Sequence, residues 1–119
     1  MTTSAEIAVD RRGGAIVARL SGEVDMTNSQ YVAEELAGSV PNDAIALVVD
    51  LSDTRYLDSA AIEILFGLAR RLRRRRQALQ LVLPPSSPLK RVLELTEIAA
   101  VAPVHESLDD ALASPESPA

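Results

Sequence analysis

The side chain best placed to carry chemistry in these 119 residues is Ser59, within Leu57-Asp58-Ser59-Ala60-Ala61. The segment follows an apolar stretch and opens an amphipathic one, which puts Ser59 at or just before a first helical turn. Backbone N–H groups there lack intrahelical partners, and the helix dipole presents its positive end. A phosphate on Ser59 would add roughly −1.5 to −2 charge and acceptor oxygens that those amides could hold. Standing beside Asp58 and near Glu63, it would also repel an acidic partner surface. The plainer alternative is that Asp58 or Ser59 is simply an N-cap worth ~1 kcal/mol.

Other chemistry has few carriers. The absence of cysteine excludes disulfides, thiol catalysis and Cys-ligated metals. The single histidine, His105, excludes a multi-His site and reads as a surface residue at a strand end. Glu34-Glu35 and Asp109-Asp110 read as exposed helix charges rather than catalytic pairs. An enzyme binding a small anion at the Ser59 helix start would need a base, metal or cofactor loop that no motif supplies. The expectation is a binding protein with no catalytic residue, no metal and no cofactor.

Twelve basic and seventeen acidic residues give a net charge of −5, which disfavours direct nucleic-acid binding. Six of the seven residues Arg70–Arg76 are arginine; without them six basic residues face seventeen acidic ones, a balance of −11. The run reads first as a solvated helix end, its stems packed over apolar surface and its charges favoured by the dipole. An acidic protein surface is the next reading. Nucleic acid comes last, because the only aromatics are Tyr31, Tyr56 and Phe66, none interleaved with the arginines. At 47% hydrophobic the chain has the profile of one soluble globular domain. No stretch approaches the ~20 apolar residues of a membrane span, so no membrane insertion is expected. The start, MTTSAEIAVD, lacks the basic and apolar regions of a signal peptide, and a cytoplasmic location is the resulting expectation.

The elements that must position Ser59 follow from hydrophobic spacing. Ile7–Val9 and Ile16, Ala18, Leu20 alternate on either side of Gly13-Gly14, which predicts a β-hairpin closed by Ser21–Asp25. Thr27 or Asn28 can cap a helix carrying Val32, Leu36 and Val40. Ala44–Leu51 is apolar on both faces and belongs mid-sheet, followed by a polar connection Ser52–Arg55. Ala60–Gln77 reads as a helix with a stripe of Ile62, Leu65, Phe66, Ala69 and Leu72. Leu79–Leu83 is a strand, Pro88 suits the first turn of a helix through Leu95, and Ala99–Val104 reads as a short strand. Ser107-Leu108-Asp109-Asp110 resembles a capping box for a last helix through Ala113. The order ββαβαβαβα predicts one α/β domain over residues 1–113, with a central mixed sheet, an N-terminal β-hairpin and parallel later strands. Residues 114–119 read as a disordered C-terminal tail.

Two segments resemble a known family. Val48-Val49-Asp50-Leu51-Ser52-Asp53-Thr54-Arg55-Tyr56-Leu57-Asp58-Ser59 is similar to the signature of STAS domains of the anti-sigma-factor antagonist (anti-anti-sigma factor) type. Leu20-Ser21-Gly22-Glu23-Val24-Asp25 resembles that family's earlier box. The resemblance runs from Ile7 to about Leu112 and implies a STAS-like fold and a bacterial partner-switching role in transcription regulation. It implies an anti-sigma factor of the GHKL serine-kinase type as the partner, bound when Ser59 is unphosphorylated and released by its phosphorylation, with a phosphatase restoring the first state. The partner surface it implies comprises Asp25, Thr27, the Ser52–Tyr56 loop with Asp53, Thr54 and Tyr56, and the Asp58–Ile62 helix start with Ser59, Ala61 and Ile62. The runner-up role is a STAS accessory subunit of a transporter or stress-sensing complex. Relatives usually continue Asp-Ser-Ser/Thr-Gly where this chain has Ala60-Ala61, and many have Gly where it has Glu97. Ser59 is thereby the sole hydroxyl of the loop tip, and Ala61 suits the site only if its backbone needs no positive φ.

Overall fold

The computed structural model describes residues 4–114. Strand β1 (Ala5–Arg12) turns at Gly13-Gly14 into β2 (Ala15–Val24), antiparallel from Ala5↔Gly22 to Arg12↔Ala15. Gly13 takes a φ of 61°, a left-handed conformation that costs glycine little. Helix α1 (Ser29–Gly38), β3 (Ala46–Asp50), β4 (Thr54–Leu57), α2 (Ser59–Arg74) and β5 (Ala78–Val82) follow. Helix α3 (Lys90–Thr96), a 3₁₀ turn at Ile98–Ala100, β6 (Val104–His105) and α4 (Leu108–Ala113) complete the order.

The mixed sheet runs β1-β2-β3-β5-β6, and every pairing except the hairpin is parallel. All five residues of β3 are buried, as its two-sided apolarity requires of a central strand covered on both faces. On one face Leu47 and Val49 meet Leu36 of α1, Leu65 and Leu72 of α2, and Leu93 of α3 in the main core. On the other, Val17, Val48 and Val82 pack beneath Ala111 of α4. The single α/β domain expected from the order of elements, with a central mixed sheet and an N-terminal hairpin, is therefore present. Among the described residues, no helix is long and apolar enough to cross a membrane.

Several boundaries differ from expectation. The supposed polar connection after β3 contains β4, which pairs parallel with β2 at Gly22–Val24, beyond the point where β3 ends. Four residues with only their ends buried show too little alternation to announce a strand. The expected strand Ala99–Val104 is instead a 3₁₀ turn, with only Val104–His105 pairing on β5. Ala99, Ala100 and Val101 are exposed, while Ile98 and Ala102 carry the burial. Helix α3 starts at Lys90, so Pro88 lies in the preceding turn. Ile45, inside the long apolar run, is half exposed at 52%. His105 is half-buried rather than on the surface. Of the expected tail, Ser114 is described, and residues 115–119 lie outside the described residues.

Helix α2 ends in a Schellman closure: Arg76 N–H donates to Arg73 O at 3.0 Å and Gln77 N–H to Leu72 O at 2.9 Å. The left-handed residue this closure needs is Arg76, with φ 59°. Gln77 then turns inward, its amide donating to the Pro41 and Ala44 carbonyls at 2.9 Å each.

Candidate functional site

Parallel pairing of β2 with β4 sets Val24 opposite Leu57, so the residues that follow, Asp25 and Asp58, leave the sheet side by side. The two sequence boxes thus converge at the carboxyl ends of neighbouring strands, where α/β folds gather their functional loops. Asp58 is the N-cap of α2: its Oδ1 accepts the Ala61 N–H at 3.0 Å. Its Oδ2 accepts the Met26 N–H at 3.1 Å, and its own N–H donates to Val24 O at 3.2 Å. One carboxylate therefore starts the helix and ties down the β2–α1 loop.

Asp25 organises the rest of that loop. Its Oδ1 accepts both the N–H and the hydroxyl of Thr27, at 2.9 and 2.5 Å. Asn28 occupies the N-cap position of α1 but makes no side-chain cap. It bridges backward, accepting from Asp25 N–H and donating to Glu23 O, both at 3.0 Å. The glycine of the first box has a physical reason. Gly22 sits at φ 96°, and a Cβ there would lie 2.4 Å from the Ser4 carbonyl oxygen.

Ser59 is the first residue of α2, exposed, with its hydroxyl unbonded among the described residues. Ala61 is helical and buried, and positive φ among the described non-glycine residues is confined to Arg76 and Glu97. Its backbone therefore has no need of glycine, and its N–H is the one capped by Asp58.

The expected surface residues divide into three groups. Asp25, Thr27, Asp58 and Ser59 come together around the helix start. Asp53 and Tyr56 are exposed nearby, on the β3–β4 loop and on β4, where Tyr56 pairs with Glu23. Thr54, Ala61 and Ile62 face inward at 3%, 0% and 7% exposure, which corrects their expected place on the surface. Thr54 donates its hydroxyl to Leu20 O, stitching β4 to β2. Ala61 and Ile62 pack into the main core because helical periodicity turns the third and fourth positions of α2 toward the sheet.

Sequence reading missed Met26. It is the most exposed large apolar side chain among the described residues, at 78%, and it stands on the loop that Asp58 holds beside Ser59. An exposed methionine directly after the Asp of the first box was the available signal. No group of three or more metal-ligating side chains is present among the described residues, and His105 lies on the edge strand β6, away from β2 and β4. The site combines an exposed hydroxyl, the carboxylates of Asp58 and Asp25 and an exposed apolar side chain. Such a surface suits binding and modification.

Residues 6–111 match the family model of the STAS domain. BtrV of Bordetella bronchiseptica, a candidate anti-sigma factor antagonist by name, is 28% identical over 92% of this chain and 93% of its own. The crystal structure of an anti-sigma factor antagonist from Mycobacterium paratuberculosis superposes with a TM-score of 0.80, at 28% identity and 92% of both chains. The Bacillus cell fate determinant SpoIIAA in its phosphorylated form shares the fold, with a TM-score of 0.60 at 16% identity, over 90% of this chain and 96% of that one. With the family model covering nearly all of the described sheet and helices, the chain belongs to the STAS domain family.

Proposed function

We propose that this chain is an anti-sigma-factor antagonist whose binding to an anti-sigma factor, itself a serine kinase of the GHKL type, is switched by phosphorylation of Ser59. The observation that carries the reading is the exposed, unbonded Ser59 hydroxyl at the start of α2, flanked by Asp58 and the Met26–Thr27 loop. The names of BtrV and the M. paratuberculosis protein support it, as does the phosphorylated form of SpoIIAA.

In the unmodified state Asp25, Thr27, Asp53, Tyr56, Asp58 and Ser59 form the docking surface, with Met26 as an apolar anchor. Phosphorylation moves the γ-phosphoryl of ATP onto Ser59 Oγ; the hydroxyl proton leaves and ADP departs. The new dianion sits against Asp58 and must be desolvated if the partner is to close over it. A penalty of about 3 kcal/mol lowers affinity more than a hundredfold, enough to release the partner. A phosphatase reverses the step with water as the phosphoryl acceptor. The domain acts by binding, without a catalytic group of its own.

Phosphopeptide mass spectrometry on protein from its own host tests the reading. Cleavage after Arg55 and Arg70 isolates Tyr56–Arg70, in which Ser59 is the only serine or threonine. A phosphatase-sensitive mass shift, absent in Ser59→Ala, is expected. An unmodified peptide in every growth and stress condition would overturn the switch.

A further inference from the structure

The arginine run lies at the opposite end of α2 from Ser59, about 24 Å away for a sixteen-residue helix. Arg70, Arg71, Arg73, Arg74, Arg75 and Arg76 are all exposed, whereas Leu72 between them is buried. None of the six joins an ion pair among the described residues, although the chain is acidic overall. The basic groups that do find carboxylates are Arg11, Arg12, Arg19 and Arg55.

The dipole accounts for one or two cations at a helix C-terminus, not for six. Two further features separate this end from a merely solvated one. Arg75 is held in place, donating to Asn42 Oδ1 at 2.7 Å and Val40 O at 3.2 Å. Arg76 occupies the left-handed position of the Schellman closure, φ 59°, where glycine would cost less. Residues kept in a strained conformation are found where their side chains are used. Arginine is also enriched at protein interfaces relative to the rest of the surface.

From this geometry we infer a second docking surface, formed by the arginine end of α2, that takes an acidic segment of a partner protein. Nucleic acid fits less well. No aromatic side chain lies between residues 67 and 80 to stack on bases, and a net charge of −5 opposes a long polyanion running past the patch. A short acidic segment needs only the patch itself. Because this surface is remote from Ser59, it can be occupied whatever the state of that site.

Fluorescence anisotropy with a labelled Glu/Asp-rich peptide and the full chain is the test. Wild type should bind the peptide, more weakly as salt rises, and Ser59→Ala should match it. Replacing Arg70, Arg71, Arg73 and Arg74 together by Gln should weaken binding about tenfold or more, with the circular dichroism melt confirming the fold. Arg76→Gly is the second variant: it should melt higher yet bind the peptide less tightly, separating fold from function. Equal peptide binding by wild type and the fourfold variant overturns the proposal. So does tighter binding to a DNA duplex or to phosphatidylglycerol vesicles than to the peptide. Self-association of the wild type that the fourfold variant abolishes would assign the patch to a second copy, and would equally overturn it.

Discussion

Asp58 and Met26 are joined across 32 positions of sequence by a single hydrogen bond, Met26 N–H to Asp58 Oδ2 at 3.1 Å. The same carboxylate caps α2 through Oδ1, so helix initiation and loop placement share one side chain. Any geometry that a partner reads across Ser59 and Met26 therefore depends on Asp58.

Asp58→Ala should remove both bonds and destabilise the domain by about 1–2 kcal/mol, read from urea denaturation. Asp58→Ser tests the division of labour, since a serine can cap Ala61 but lacks a second oxygen for Met26. Stability should be largely retained in that variant while the Met26 amide exchanges faster with solvent. Unchanged Met26 exchange in Asp58→Ala would show that the loop is held by Asp25 and Asn28 alone.

Ser59 is exposed and its hydroxyl makes no hydrogen bond among the described residues, so Ser59→Ala should change stability by less than about 0.5 kcal/mol. Ser59→Asp gains from the helix dipole and loses from its neighbour Asp58, and should also stay within about that range. Against a GHKL-type anti-sigma factor the two should diverge. Calorimetric titration should find Ser59→Ala close to wild type and Ser59→Asp weaker by about tenfold or more. Equal affinity for both would remove the electrostatic basis of the switch.

Gly22 should tolerate no side chain. Its φ of 96° and the 2.4 Å approach of a Cβ to Ser4 O make Gly22→Ala costly twice over. A loss of about 2 kcal/mol or more is expected in a thermal melt, with weakened protection of the Glu23 amide, which donates to Ser4 O at 3.0 Å. A melt like that of wild type would mean that β1 can shift away freely.

Glu97 ends α3 at φ 58°, ψ 29°, the left-handed region that disfavours a residue with a Cβ. Glu97→Gly should stabilise the domain by about 0.5–1 kcal/mol, the relief of strain exceeding glycine's extra freedom in the unfolded chain. Glu97→Ala keeps the Cβ and should leave the urea midpoint nearly unchanged. A gain equal to that of glycine would trace the effect to lost charge instead.

What the amino-acid order alone determined are features whose physics is local. The Gly13-Gly14 turn, the stripe of α2 and the Asp58 cap depend on residues within a few positions of one another. The two-sided apolarity of Ala46–Asp50 likewise demands cover on both faces wherever the strand lies. Ser59 was legible for the same reason, because the start of a helix exposes its first residue to solvent and to the dipole. Strand β4 was not legible: its four residues become a strand through β2, more than thirty positions earlier. The tertiary structure alone decided that Thr54 faces inward, that Met26 stands beside Ser59, and that the six arginines between 70 and 76 find no carboxylate among the described residues. Each depends on which distant segments the sheet brings together, and pairing energies across such separations leave no periodic trace in the chain.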